Sequence, residues 1–192
     1  MDKNNKRNSV IIVAAGLGQR AGGIKPKQWQ TVLGKRVVDW TVSKFFDHPL
    51  INEIVLVTDS IEEAKSLPNE VIIVKGGNER SESVLNGLLM VSDNISNVLI
   101  HDAARPCVTS KLISSIIDGL KVFDCIIPVL PVTDALWEVD QNKINLVKSL
   151  NRDMVKTTQT PQGFNRKKIL KAYQNNYITA VDDAAIALKS GM

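Results

Sequence analysis

Short apolar runs rich in β-branched residues punctuate the chain at Val10 to Ala14, Ile54 to Thr58, Val71 to Val74, Val98 to Ile100 and Ile126 to Val129. Runs of this length and composition predict buried strands. Between them, positions recur at the three- and four-residue spacing of a helix face: Val37, Trp40, Thr41, Lys44 and Phe45; Val84, Leu85, Leu88 and Leu89; Leu112, Ile113, Ile116, Ile117 and Leu120. Thr109 or Ser110 is placed to cap the last of these, and Ser81 and Ser83 to start the one before it. Strands alternating with helices predict an α/β fold. Its sheet is doubly wound and mostly parallel, because right-handed crossovers deposit helices on both faces.

The rhythm changes after Pro131. Ala135 to Val139 and Ile144 to Ser149 flank Asp140-Gln141-Asn142, which predicts a hairpin and hence an inserted β-arm over residues 132–156. A two-stranded arm is marginal alone and needs a second surface, so a dimer contact is expected. A helix is expected from about Asn165 to Tyr173 and another opening at Asp182 and Asp183. The 192 residues read as one domain ending without a closing strand, as if truncated at the C-terminus.

Composition narrows the function classes. The net charge is +4, but Lys and Arg are dispersed without interleaved aromatics, which argues against nucleic acid and suits a phosphorylated small molecule. Nothing approaches a membrane span or a signal peptide. Cys107 and Cys125 lack metal spacing and read as reduced core thiols, so a cytoplasmic enzyme is expected.

The first strand runs into Ala14-Ala15-Gly16-Leu17-Gly18-Gln19-Arg20-Ala21, where glycines let a phosphate approach the backbone amides. The formal match to a dinucleotide fingerprint fails on context. Gly22-Gly23 and Pro26 interrupt the helix it requires, and the next strand-end acid, Asp59, lies too far along the chain. Arg20, Lys25 and Lys27 on this segment suit a triphosphate, with Arg20 and Lys27 placed to offset charge developing during transfer. Gly76-Gly77-Asn78-Glu79-Arg80-Ser81-Glu82-Ser83 follows another strand, and its backbone and Ser83 are candidates for binding a base edge.

In His101-Asp102-Ala103-Ala104-Arg105-Pro106, Asp102 is the candidate Mg²⁺ ligand. Strand alternation puts His101 on the opposite side, as a packed residue rather than a base. His48, before Pro49, reads as loop surface. No Ser/His/Asp or Cys/His set supports covalent catalysis, which leaves positioning and charge neutralisation. Arg152 and Thr160 suit a second phosphate, although Arg152 equally suits a surface ion pair with Asp153 or Glu138.

In order, AAGLGQR, KPKQ, GGNERSESV, HDAARP, PVTDA, QTPQGF and VDDAAIAL resemble the 2-C-methyl-D-erythritol 4-phosphate cytidylyltransferase family of the non-mevalonate isoprenoid pathway, from about Val10 to Gly191. The resemblance implies a Rossmann-like nucleotidyltransferase and a homodimer that exchanges its β-arm. It implies Mg²⁺-dependent, in-line attack of the acceptor phosphate on the α-phosphate of CTP, giving a CDP-alcohol and pyrophosphate. It places catalytic roles on Arg20 and Lys27, and nucleotide contacts on Ala14, Ala15, Gly16, Gly18, Gly77, Asn78, Arg80 and Ser83. Asp102 becomes the metal ligand, while Ala103, Arg105 and, from the partner's arm region, Arg152 and Thr160 contact the acceptor.

Departures from the family pattern are Asp134-Ala135 in place of Asp-Thr, and Val181-Asp182-Asp183-Ala184 in place of Thr-Asp-Glu/Asp-Ala. A further metal-binding Asp and phosphate-binding Lys of the family fall beyond Met192, as in a fragment or the front of a fusion with the cyclodiphosphate synthase. The rival readings are a ribitol 5-phosphate cytidylyltransferase, against which HDAARP weighs, and a non-catalytic nucleotide-binding relative.

Overall fold

A computed structural model describes residues 6–16, 25–176 and 182–192. The chain opens with β1 (Asn8–Val13), and a small hairpin of β2 (Thr31–Val32) and β3 (Lys35–Arg36) precedes helix α1 (Val37–Phe46). Three strand–helix units follow: β4 (Glu53–Thr58) with α2 (Ile61–Ala64), β5 (Val71–Lys75) with α3 (Arg80–Met90), and β6 (Asn97–Asp102) with α4 (Ser110–Gly119). Then come β7 (Cys125–Ile126), β8 (Val129–Pro131), β9 (Leu136–Val139), β10 (Leu146–Leu150), β11 (Lys156–Thr158) and β12 (Gln162–Asn165). Helices α5 (Arg166–Asn176) and α6 (Asp183–Lys189) complete the order.

The main sheet runs β5-β4-β1-β6-β12-β7. Its first four strands are parallel, whereas β12 lies antiparallel to both β6 and β7. Alternation along β1 sends Val10 and Ile12 to one face, where Val38, Val42 and Phe45 of α1 and Ile113, Ile116 and Ile117 of α4 cover them. Ile11 points the other way, against Val84 and Leu88 of α3, Ile169 and Tyr173 of α5 and Ile186 of α6. Helices thus cover both faces, as the alternating pattern predicts.

Several local features differ from expectation in the structure. The run Ile126 to Val129 divides at Pro128, which has no N–H to give a ladder, so β7 stays in the sheet while β8 leaves to pair with β11. Strand β12 was not legible as a strand. Its Gly163 lies so close to α4 that a Cβ there would sit 2.4 Å from Ile116 Cγ2, a contact only the assembled layers create. Ser81 and Ser83 do not cap α3, which begins at Arg80 after Glu79. Thr109 does cap α4, its Oγ1 accepting from Leu112 N at 3.2 Å, a bond worth about 1 kcal/mol.

His48 is buried rather than on the surface, its Nε2 within 3.1 Å of Ser114 Oγ. The two cysteines are free, but Cys107 is exposed and Cys125 only half-buried, so neither is a core thiol. Burial and then Asp124 push the Cys125 thiol up to about 11.

The arm has two layers of pairing. β8 and β11 form a stem, beyond the expected bounds of 132–156, and β9 and β10 form the distal hairpin. Its turn closes from Asp140 N to Asn145 O at 3.0 Å with Lys143 at φ 60°, longer than the expected three-residue connection. Leu130, Ile144, Leu146, Val147 and Met154 are all exposed on this arm.

Candidate functional site

The parallel strands β1, β4, β5 and β6 end on the same edge of the sheet, where ligands bind in open α/β folds. Beyond β1, Ala14 is tied to β4 by its N–H to Val57 O at 2.7 Å. Buried Gln28 donates from Nε2 to Ala14 O at 2.7 Å and to Gly16 O at 2.8 Å. Gln28 therefore fastens the first loop to the 3-10 turn Lys27–Trp29, whose Trp29 is buried beneath the Arg36 guanidinium at 5.2 Å. Lys27 stands exposed at the start of that turn. Lys25 pairs with Glu63 at 3.3 Å on the surface. Gly18 and Arg20 lie outside the described residues.

The second loop, after β5, packs directly on the first. A Cβ on Gly76 would fall 2.4 Å from Ala15 Cβ, so the approach of these loops depends on glycine there. Ser83 is buried with its Oγ donating to Glu79 O and accepting from Gly77 N at 3.0 Å, while Asn78 N donates to Glu82 Oε2 at 2.8 Å. Ser83 thus shapes the loop, with its hydroxyl engaged in that work.

Asp102 ends β6 with its side chain one-third exposed. Arg105 Nε donates to its Oδ2 at 2.9 Å, and Arg80 Nη2 stands 3.5 Å from its Oδ1. Arg105 also donates to Gln159. Arg80 makes a two-pronged pair with the fully buried Asp183 of α6, at 2.9 and 2.8 Å, and Tyr173 donates its hydroxyl to the same carboxylate. Burial opposes the Arg80 charge, but Asp183 and then Asp102 outweigh it and hold the guanidinium above its ordinary value. Burial and then Asp183 likewise raise Tyr173, which stays a donor.

His101 is fully buried, as strand alternation predicts, with its ring edge-on to Phe45. Because a carbonyl only accepts, Nε2 donates to Arg105 O at 3.0 Å, and Nδ1 accepts from Thr160 Oγ1 at 3.0 Å. Asp102 N–H in turn donates to Thr160 Oγ1 at 3.4 Å. Burial lowers His101 to about 4, so it is a neutral strut rather than a base at physiological pH.

The residues expected to contact the acceptor lie in different settings. Thr160 sits on the approach to β12, next to β6, where its hydroxyl reaches Asp102 N of the same chain. Ala103 is buried, its N–H given to Val13 O at 3.0 Å and its carbonyl accepting from Thr41 at 2.7 Å. Arg152 lies on the arm, away from this cluster, and donates to Thr133 O at 2.7 Å rather than pairing with Asp153 or Glu138. Gln28, Gln159, Tyr173 and Asp183 join the site without having been singled out as ligand-facing. Gln28, Gln159 and Asp183 stood inside the segments KPKQ, QTPQGF and VDDAAIAL without a role of their own, and Tyr173 was marked only as the end of an expected helix.

No cluster of three or more His, Cys, Asp or Glu side chains able to hold a metal occurs among the described residues. Asp102 supplies one partly exposed carboxylate, which fits Mg²⁺ in the mode that takes one or two carboxylates, waters and substrate phosphates. No helix among the described residues is long and apolar enough to cross a membrane.

The chain is similar to known proteins in both sequence and fold. The family model for IspD, 2-C-methyl-D-erythritol 4-phosphate cytidylyltransferase, matches residues 9–192. The bifunctional enzyme IspD/IspF of Ruegeria sp. (strain TM1040) is 40% identical over 190 residues, spanning 96% of this chain and 49% of that protein. The 2-C-methyl-D-erythritol 4-phosphate cytidylyltransferase of Roseobacter denitrificans is 38% identical, spanning 95% and 83%. Among solved structures, the Francisella tularensis enzyme of that name superposes with TM-score 0.82 at 29% identity, covering 97% of this chain and 88% of that one. The bifunctional IspDF of Campylobacter jejuni gives 0.84 at 26% identity, over 97% and 48%. The chain thus spans about half the length of its bifunctional relatives.

Proposed function

The chain belongs to the 2-C-methyl-D-erythritol 4-phosphate cytidylyltransferase family, and from that premise we propose that it transfers CMP from CTP to 2-C-methyl-D-erythritol 4-phosphate. An oxygen of the acceptor phosphate attacks the α-phosphorus of CTP, the bond to the β-phosphate breaks, and pyrophosphate leaves with its electrons. The observation that carries this reading is the pair of guanidinium groups, Arg80 and Arg105, around one open carboxylate, Asp102, at the parallel strand ends.

On this reading the amides of the first loop, with Arg20 and Lys27, bind the triphosphate. Lys27 offsets the charge that accumulates on the α- and β-phosphoryl oxygens. The second loop, from Gly77 to Ser83, frames the base, and Arg80 stands between that loop and Asp102. Arg105 faces the acceptor phosphate. Mg²⁺ held by Asp102 would neutralise phosphate charge when bound.

The exposed apolar side chains of the arm support a homodimer, in which Arg152 would reach the partner's acceptor. The phosphorylated, nucleotide-derived substrates support a cytoplasmic setting. The deciding experiment is Mg²⁺-dependent pyrophosphate release from CTP with methylerythritol phosphate or ribitol phosphate as acceptor. Release with the first alone supports the proposal; preference for ribitol phosphate replaces it with the sister activity. CTP binding without release with either acceptor replaces it with a non-catalytic role.

A further inference from the structure

One guanidinium, that of Arg80, lies within reach of two carboxylates. It meets Asp183 at 2.9 and 2.8 Å with both prongs, and Asp102 only at 3.5 Å with one. The carboxylates differ in what else can serve them. Asp183 is fully buried and shielded from water, so its charge has to be paired within the protein. Asp102 is one-third exposed and can be served by water, by Arg105 or by a cation.

Tyr173 fixes the Asp183 carboxylate by donating its hydroxyl to Oδ1, and the planar fork of arginine matches the carboxylate so presented. Swinging Arg80 fully onto Asp102 would leave Asp183 buried with Tyr173 as its one remaining side-chain partner among the described residues. The pull on Arg80 is therefore toward α6 and away from β6.

Resting on the assignment of Asp102 to the divalent cation, we infer that Asp183 is a positioning residue that restrains Arg80 and so leaves Asp102 open to that cation. Arg80 is then a cation shared unequally between a structural carboxylate and a functional one. With a neutral side chain at position 183, the guanidinium is released to close on Asp102, and an incoming cation has to displace it.

The test uses the purified protein with Mn²⁺ as the probe, bound ion being read by electron paramagnetic resonance at CTP concentrations saturating for each variant. Mg²⁺ is titrated in parallel in the pyrophosphate assay. Asp183→Asn is expected to raise the metal concentration for half-saturation about tenfold, the size of effect that outer partners have on metal sites, with kcat largely recovered at high metal. Adding Arg80→Met in that background is expected to bring half-saturation back toward wild type, because the competing cation is gone.

A folded Asp183→Asn protein with unchanged half-saturation, or a double variant no better than the single one, overturns the inference. Should Asp183→Asn fail to fold, Tyr173→Phe carries the test. Loosening the carboxylate by one hydrogen bond is expected to raise half-saturation about twofold, and no change overturns the proposal. A wild-type protein that binds CTP and turns over without metal dependence instead removes the cation from Asp102, a separate failure of the underlying reading.

Discussion

Around Asp102, charged side chains are closely partnered: Arg105 and Arg80 flank it, and Asp183 and Tyr173 hold Arg80 from behind. On the arm, apolar side chains stand in solvent instead, with Ile144 78% and Val147 61% exposed. Both regions are mixtures of polar and apolar residues on irregular connections. The difference is that the strand-end site has a sheet with helices behind it, whereas the hairpin β9–β10 rests on a two-stranded stem. Rigid charge placement follows from the first arrangement, and a requirement for another surface follows from the second.

The sharpest break of this contrast is to weaken what lies behind the site. Phe45→Ala empties a fully buried ring position against His101, and it is expected to cost about 4 kcal/mol of unfolding free energy in urea titrations. A cost below 1 kcal/mol would mean that the core does not brace the site as described.

Next in size, Lys27→Ala or Asp102→Ala is expected to lower kcat at least about 100-fold with an unchanged circular-dichroism spectrum, since each acts on phosphate charge rather than packing. Wild-type turnover in either variant removes that residue from the mechanism.

Acid provides a third, smaller perturbation of the same layer. His101 has its folded value lowered to about 4 from an ordinary 6.5, so protonation favours the unfolded chain. Its contribution is complete above pH 6.5 and declines as pH falls toward 4. The loss by pH 5 is about 2 kcal/mol relative to pH 8. His101→Gln should flatten that segment of the stability profile, and a profile of undiminished slope would reassign the acid loss to other groups.

The arm should respond least in stability and most in assembly. Val147→Ala is expected to change unfolding free energy by less than about 0.5 kcal/mol. Ile144→Glu with Val147→Glu is expected to convert the proposed homodimer to a monomer in light scattering. Retention of dimer mass would move the interface elsewhere.

Several features of this molecule were fixed by local pattern alone. The alternating strand and helix periods gave β1, β4, β5 and β6 and a mostly parallel sheet, though not the order of its strands, because burial on both faces demands continuous apolar runs. The hairpin followed from a polar turn between apolar segments. His101 was correctly placed inside by strand alternation.

Other features depended on contacts between distant segments. β12 enters the sheet between β6 and β7, and in doing so carries Thr160 to Asp102 across 58 positions of chain. Asp183 reads as a helix start, and Asp182 does cap α6 by accepting from Ala185 N at 2.9 Å. Only the packing of α6 against α5 turns Asp183 inward to Tyr173 and Arg80. Periodicity records which face a residue occupies within its own element, so it reports burial well. Which opposite charge meets it there is settled by the relative placement of elements, which no local period encodes.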